Sequence, residues 1–213
     1  MARVSIVVVL LCVVAGVVTW YAGGRYQFTP RNFGVVDLGD QREGTAALFR
    51  SGQISTRMLE PTLTKFGIDT VIFLSGDNLK RKDTRSEIAV CASLGIERIN
   101  RPLAGDGTGQ IQKYIDALTD AARARSAGRA VLVHCHTGSQ RTGAFVAFHR
   151  LLIDGWTAER TKAELLAYGH DPAENEKLIP YVNRHLSTVA AELVSRGVIV
   201  AAPSPLPKLV PGR

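Results

Sequence analysis

Ala130-Val131-Leu132-Val133-His134-Cys135-His136-Thr137-Gly138-Ser139-Gln140-Arg141-Thr142-Gly143-Ala144-Phe145-Val146-Ala147-Phe148-His149 is the stretch on which the fold turns. Its first four residues form a short, β-branched apolar run of the kind that makes a buried parallel strand. From Ala144 to Ile153 the apolar residues recur at helical spacing instead. A glycine-containing loop therefore joins the carboxyl end of a strand to the start of a helix. Successive N–H groups of such a loop converge with the positive end of the helix dipole, and open α/β sheets bind ligands at the carboxyl ends of their strands. The pattern predicts an anion cradle suited to phosphate.

Within that cradle Cys135 precedes Arg141 by six positions. A thiol that faces backbone donors, a helix N-terminus and an arginine is stabilised as thiolate, its pKa lowered from about 8.5 into the range of roughly 3.5 to 7.5, so Cys135 is expected to be a nucleophile. Arg141 carries the planar fork that grips two phosphate oxygens at once, which the point charge of lysine does less well. The phosphate would lie against His136, Thr137, Gly138, Ser139, Gln140 and Arg141, with the hydroxyl of Thr142 near the sulfur. Gly138 and Gly143 suit positions of positive φ or close backbone approach.

His134-Cys135, five further residues, then Arg141-Thr142-Gly143 resembles the signature of the cysteine-dependent protein tyrosine and dual-specificity phosphatases. Other segments resemble the compact bacterial or atypical dual-specificity branch. Leu48-Phe49-Arg50-Ser51-Gly52-Gln53 is similar to the segment that opens these domains. Phe66 to Leu74 resembles a helix, a Gly-Ile turn and the first parallel strand, and Gly95 to Leu103 the strand that feeds the acid loop. Gly155-Trp156-Thr157 and Glu164-Leu165-Leu166 are similar to a helix junction and the helix after it.

The resemblance covers about Leu48 to Leu193 and implies an α/β fold, a central, mainly parallel sheet flanked by helices. It implies a phosphatase acting through a phosphocysteine intermediate, with no cofactor. His134 is expected to support the loop rather than transfer protons, and Gly143 to serve its geometry.

Expulsion of an alkoxide or phenoxide calls for a positioned acid. Asp106, between Gly105 and Gly107 and after the expected strand Ile99 to Leu103, is the residue that the resemblance places there. The alternative for Asp106 is a simple turn, since Asp between glycines favours one. Asp77, in Ser75-Gly76-Asp77-Asn78 after the preceding strand, is its competitor. Some relatives carry an aspartate just before the signature arginine; this chain has Gln140, which leaves the burden on Asp106.

Substrate class follows from charge. His136, Thr137, Ser139 and Gln140 bring no permanent positive charge to the loop, although a protonated His136 would. This favours phosphotyrosine or another simple phosphomonoester, in a phosphoprotein substrate, over inositol phosphates or phosphoinositides. Lys80-Arg81-Lys82 and Arg85 are the counterweight: a basic rim, or simply a solvated charged loop. Two rival functions use similar residues: a non-catalytic phosphoprotein-binding module, and a sulfurtransferase or arsenate-reducing enzyme. His149, His170 and His185 have no ligand-like spacing with the cysteines, so no metal is expected.

Val4 to Tyr21 is apolar apart from Ser5 and Thr19 and closes on Trp20-Tyr21. About eighteen residues suffice for one membrane helix, and the aromatic pair suits an interface, so residues 1–22 read as a membrane anchor with a cleaved signal peptide as the rival. Arg3 on one side and Arg25 and Arg31 on the other leave orientation open. Three cysteines, with Cys12 in the apolar run, make no disulfide framework, which leans toward a cytoplasmic catalytic domain. Cys91, in the helical pattern Ser86 to Leu94, reads as a buried small residue rather than a redox partner of Cys135.

Residues 23–47 read as a juxtamembrane linker, 48–200 as the phosphatase domain, and 201–213, with Pro203, Pro205, Pro207 and Pro211, as a disordered tail. Helices are expected over Ile111 to Ala127 and Tyr181 to Arg196, covering the sheet. The 213 residues carry a net charge of +7, which suits anionic substrates or a lipid surface. There is no arginine-aromatic array to argue for nucleic acid. Nothing in the sequence decides an oligomeric state.

Overall fold

The computed structural model describes residues 30–40 and 44–210. Five strands, β1 (Gly34–Asp37), β2 (Leu48–Ser51), β3 (Ile68–Phe73), β4 (Glu97–Asn100) and β5 (Ala130–His134), form one sheet in the order β1-β2-β5-β3-β4. β1 runs antiparallel to β2 and every other pairing is parallel. Six helices join them: α1 (Thr56–Lys65), α2 (Lys82–Ser93), α3 (Ile111–Ser126), α4 (Gln140–Leu152), α5 (Ala158–Ala167) and α6 (Leu178–Ser195). This is the expected α/β architecture, with β5 at the centre of the sheet.

Side chains of a strand alternate between faces, and β5 shows what that does here. Val131 and Val133 join the larger core with Tyr114, Phe145, Phe148, Val182 and Leu193 from α3, α4 and α6. Leu132 points the other way, into a smaller core with Leu59 and Leu63 of α1 and Cys91 of α2. Both faces of the sheet are covered at its centre, which is why Ala130 to Val133 of β5 reads as a continuous apolar run. Cys91 thus sits in the smaller core and Cys135 in the larger one. The Cys91 thiol is pushed up to about 11 by burial and by the nearby Glu87 charge, so it behaves as the small buried residue the sequence suggested.

Three boundaries differ from expectation. The stretch assigned to a linker contains β1, whose Gly34 and Val35 pair with Arg50 and Phe49; a four-residue strand is too short to announce itself by periodicity. The strand expected over Ile99 to Leu103 ends at Asn100, because Pro102 has no N–H for the ladder. The proline-rich tail does not hang free as far as residue 210: Leu209 is fully buried in the larger core, and its N–H and C=O bond Asn183 Oδ1 (2.9 Å) and Nδ2 (2.7 Å). One apolar anchor and one amide hold a segment that composition alone marks as disordered. The apolar run Val4 to Tyr21, and Cys12 within it, lie outside the described residues. Among the described residues no helix is long and apolar enough to cross a membrane.

Candidate active site

Cys135 follows the last residue of β5 and α4 begins at Gln140, so the signature loop occupies the carboxyl edge of the sheet between two parallel neighbours. What gives the loop its shape is the fate of its carbonyls. His134 O accepts from Leu74 N (2.8 Å) and His136 O from Gln53 N (2.9 Å). Thr137 O accepts from Asn32 Nδ2 (2.8 Å) and Gly138 O from Arg50 Nη2 (2.7 Å). Four carbonyls are held from outside the loop, and a peptide whose C=O points out presents its N–H inward. The Gly138 N–H donates to Cys135 Sγ at 3.2 Å.

Close packing enforces this path. Gly138 has φ +79°, and a Cβ there would lie 2.6 Å from Gly52 N; a Cβ on Gly52 would lie 2.8 Å from Thr137 O. Two glycines thus let the loop and the β2 exit approach backbone to backbone.

Cys135 and Thr142 are buried. Arg141 Nε and Thr142 Oγ1 are buried polar atoms with no hydrogen-bond partner among the described residues. An arginine nitrogen and a hydroxyl left unpaired in the first turn of α4, directly after the loop, suit an oxyanion. Arg50 is fully buried, its guanidinium carbon 3.8 Å from the centre of the Tyr168 ring. Burial pushes its pKa down to about 10, against the opposing pull of Glu164, Tyr168 and Cys135, so it stays cationic at neutral pH. The loop therefore has a second arginine behind it.

His134 stacks on Phe73, with ring centroids 4.8 Å apart, and its Nε2 lies 3.1 Å from Glu87 Oε2. The same buried carboxylate accepts from Gln53 Nε2 (2.8 Å) and Arg98 Nε (2.9 Å). Burial alone would raise the Glu87 pKa, but His134 and Arg98 carry it down to about 2. The charge of Glu87 therefore stabilises the fold above the ordinary carboxyl value of 4.5, and that contribution is lost as the pH falls toward 2. Glu87→Ala removes the buried carboxylate that Gln53, Arg98 and His134 share, leaves Arg98 only its partner Asp77, and is expected to cost about 3 kcal/mol in urea unfolding at pH 7. The same titration should show the difference from wild type shrinking at pH 3.

Arg98 reaches on to Asp77, with Nη2–Oδ1 at 2.6 Å and Nη1–Oδ2 at 3.2 Å. Asp77, the competitor for the acid role, is thus engaged through both oxygens by an arginine. Asp106 Oδ1 accepts from the Thr108 N–H (3.0 Å) and hydroxyl (2.7 Å), the turn that Asp between glycines favours. These bonds hold its carboxyl below the ordinary value of 3.8. The turn nevertheless lies against the signature: a Cβ on Gly107 would sit 3.1 Å from the Gln140 carbonyl, and Tyr114 Oη donates to Gly107 O (2.7 Å) and, more weakly, to Arg141 O (3.4 Å). Burial pushes the Tyr114 phenol well above its usual range, so it remains a neutral donor joining the Asp106 turn to the start of α4.

At the mouth, burial and then the charges of Arg141 and Arg81 push His136 below its usual pKa; it is neutral at pH 7 and adds no charge to the loop. Arg81 pairs with Asp83 (2.6 Å), and Arg85 Nη1 donates to Leu79 O (2.7 Å). Of the basic segment, Arg81 acts on His136 through its charge, while Arg81 and Lys82 line a cleft of about 400 Å³ with Ser55, Thr56 and Asp83 that includes no residue of the signature loop. On the far side His170 Nδ1 lies 2.9 Å from Gln140 Oε1. His149 sits elsewhere, between Asp154 (3.2 Å) and Arg125 (3.4 Å). Among the described residues no three His, Cys, Asp or Glu side chains are grouped to hold a metal.

Asn32, Arg50, Gln53, Glu87 and Tyr114 were not singled out by sequence reasoning as parts of the site. The one available signal was the arginine within the apolar strand Leu48-Phe49-Arg50, a charge that burial would permit only with partners.

No protein-family model matches the chain, and no curated protein matches it. Solved structures do. TpbA from P. aeruginosa, at 19% identity, aligns over 74% of this chain and 95% of its own with a TM-score of 0.56, and has also been solved in complex with pTyr. The core catalytic domain of the PP-IP phosphatase SIW14 from S. cerevisiae, at 14% identity, aligns over 78% and 94% with a TM-score of 0.57. PTPMT1, at 16% identity, aligns over 75% and 99% with a TM-score of 0.54. A sheet ordered β1-β2-β5-β3-β4, a cysteine at the carboxyl end of its central strand and these structural likenesses together give the chain the fold of the cysteine-based protein tyrosine and dual-specificity phosphatases.

Proposed function

We propose that this protein is a phosphomonoesterase working through a phosphocysteine intermediate. The observation that carries the reading is the outward capture of three loop carbonyls and of the last carbonyl of β5 around Cys135, which would turn the loop's N–H groups toward a bound oxyanion beside Arg141. Cys135 thiolate would attack phosphorus while the P–O bond to the leaving group breaks. Asp106 would protonate the departing oxygen and then, as carboxylate, take a proton from the water that attacks the phosphocysteine. Thr142 Oγ1 would stabilise the sulfur as it leaves. The acid role requires the Thr108 bonds to Asp106 Oδ1 to be exchanged when substrate closes the turn.

A neutral His136 and an Arg81 paired with Asp83 support a simple phosphoester, phosphotyrosine first, as substrate. The pTyr complex of TpbA has the same fold. The reading with inositol phosphates draws on Arg81, whose charge reaches His136 of the loop, and on the fold shared with a PP-IP phosphatase. A phosphate-release panel comparing phosphotyrosine and phosphoserine peptides with phosphoinositides and inositol phosphates tests this. Phosphotyrosine peptides are expected to give the highest kcat/KM; preference for the inositol compounds reverses the substrate assignment. Tight phosphopeptide binding without release from any substrate would mark a non-catalytic binding module. The apolar run Val4 to Tyr21 supports a membrane-tethered form of the enzyme, which fractionation of the full chain checks.

A further inference from the structure

We infer that Asn32, outside every signature segment, is a positioning residue that holds the phosphate cradle in its binding shape. The inference rests on the phosphatase reading for its consequence in turnover, but on geometry alone for its consequence in anion binding.

One amide nitrogen, Asn32 Nδ2, lies within hydrogen-bond distance of three acceptors: Thr137 O (2.8 Å), Tyr168 O (3.1 Å) and Ser139 Oγ (3.2 Å). Two of these belong to the signature loop and the third to the C-cap of α5. Asn32 itself is the one non-glycine residue with positive φ (52°) among the described residues, a conformation that asparagine tolerates better than most side chains. Its neighbour Arg31 accepts from Gly52 N–H at 2.6 Å, and a Cβ on Gly138 would lie 2.9 Å from Asn32 Cβ. The chain at residues 31–32 is thus wedged between the β2 exit and the signature loop.

The physical consequence concerns one peptide. Among the described residues, Thr137 O is the loop carbonyl whose one donor is a side chain from outside the sheet's own strands, and the N–H of the same peptide belongs to Gly138, the group that faces Cys135 Sγ. If the Thr137 carbonyl loses its donor, the Thr137–Gly138 peptide can rotate, and the Gly138 N–H leaves the thiol and the phosphate together. Asparagine serves because it combines a donor at this distance with tolerance of the left-handed backbone; glycine would keep the second property and lose the first.

That contrast gives the experiment. Asn32→Gly and Asn32→Ala are compared with wild type for kcat and KM, for binding of tungstate by calorimetry, and for melting temperature. Asn32→Gly is expected to melt close to wild type, to bind tungstate on the order of 10- to 100-fold more weakly and to lose kcat/KM by a similar factor, with Asn32→Ala worse in all three. If Asn32→Gly binds tungstate and turns over like wild type, the residue matters only for its φ and the inference fails. Should Asn32→Gly not fold, Asn32→Asp, which suits the same backbone but offers acceptors where donors are required, decides in its place: wild-type tungstate affinity overturns the inference and weakened affinity upholds it. If wild type releases no phosphate from any substrate, the phosphatase reading falls while the tungstate comparison still judges Asn32.

Discussion

Cys135→Ser is expected to abolish phosphate release, by at least about 10⁴-fold in kcat, while leaving the melting temperature and tungstate binding near wild type. The reason is the division of labour in the loop. On the proposed reading, anion binding resides in N–H groups set by captured carbonyls and in Arg141, none of which depends on sulfur. Bond formation to phosphorus needs a strong nucleophile, and a serine hydroxyl in the same place is a far weaker one than a thiol. Cys135 is buried and in contact with the Gly138 N–H, so the substitution changes one buried atom for a smaller one. Stopped turnover with retained phosphopeptide capture is the expected signature. Appreciable release by Cys135→Ser would remove the nucleophile assignment.

Asp106→Asn is the second large effect, and its size should depend on the leaving group. A positioned acid contributes roughly 10² to 10⁴ when the departing oxygen is basic and little when it leaves unaided. Phenyl phosphate hydrolysis is therefore expected to fall by about 10²-fold or more, and a nitro-substituted aryl phosphate far less. Equal slowing of both would assign Asp106 to the turn it makes with Thr108 and nothing else. A companion variant uses the direction of its titration. Thr108 holds the Asp106 carboxyl below its ordinary value through both its hydroxyl and its N–H. Thr108→Ala removes the hydroxyl bond, which should raise the Asp106 pKa, keep the acid protonated to higher pH, and move the basic limb of the kcat/KM profile upward.

Asp77 and Asp106 show where sequence reasoning reaches its limit. Each lies on a loop at a carboxyl end of the sheet, between small residues, and local chemistry does not separate them. Their partners do, because Arg98 occupies both oxygens of Asp77, whereas the Asp106 turn is joined by Tyr114 to the signature itself. Arg98 and Tyr114 lie on other elements. The same holds for the domain boundary: β1 became visible only by its pairing with β2, and the docked Leu209 only by the core it enters.

The strand Ala130–His134, the loop and the helix after it were legible in the sequence because their signals are local: β-branched residues, glycine, and a change of hydrophobic period within one stretch. Cys135 and Arg141 inherit their placement from that change. The cradle's working shape was not legible, because the groups that hold it come from far along the chain, Arg50 at a separation of 88 residues and Asn32 at 105. A hydrogen bond constrains no pattern in the sequence at such distances. The sequence by itself determined where a cysteine and an arginine meet a helix N-terminus; only the tertiary structure decided which way each peptide of the loop points, since that direction depends on which distant donor reaches which carbonyl.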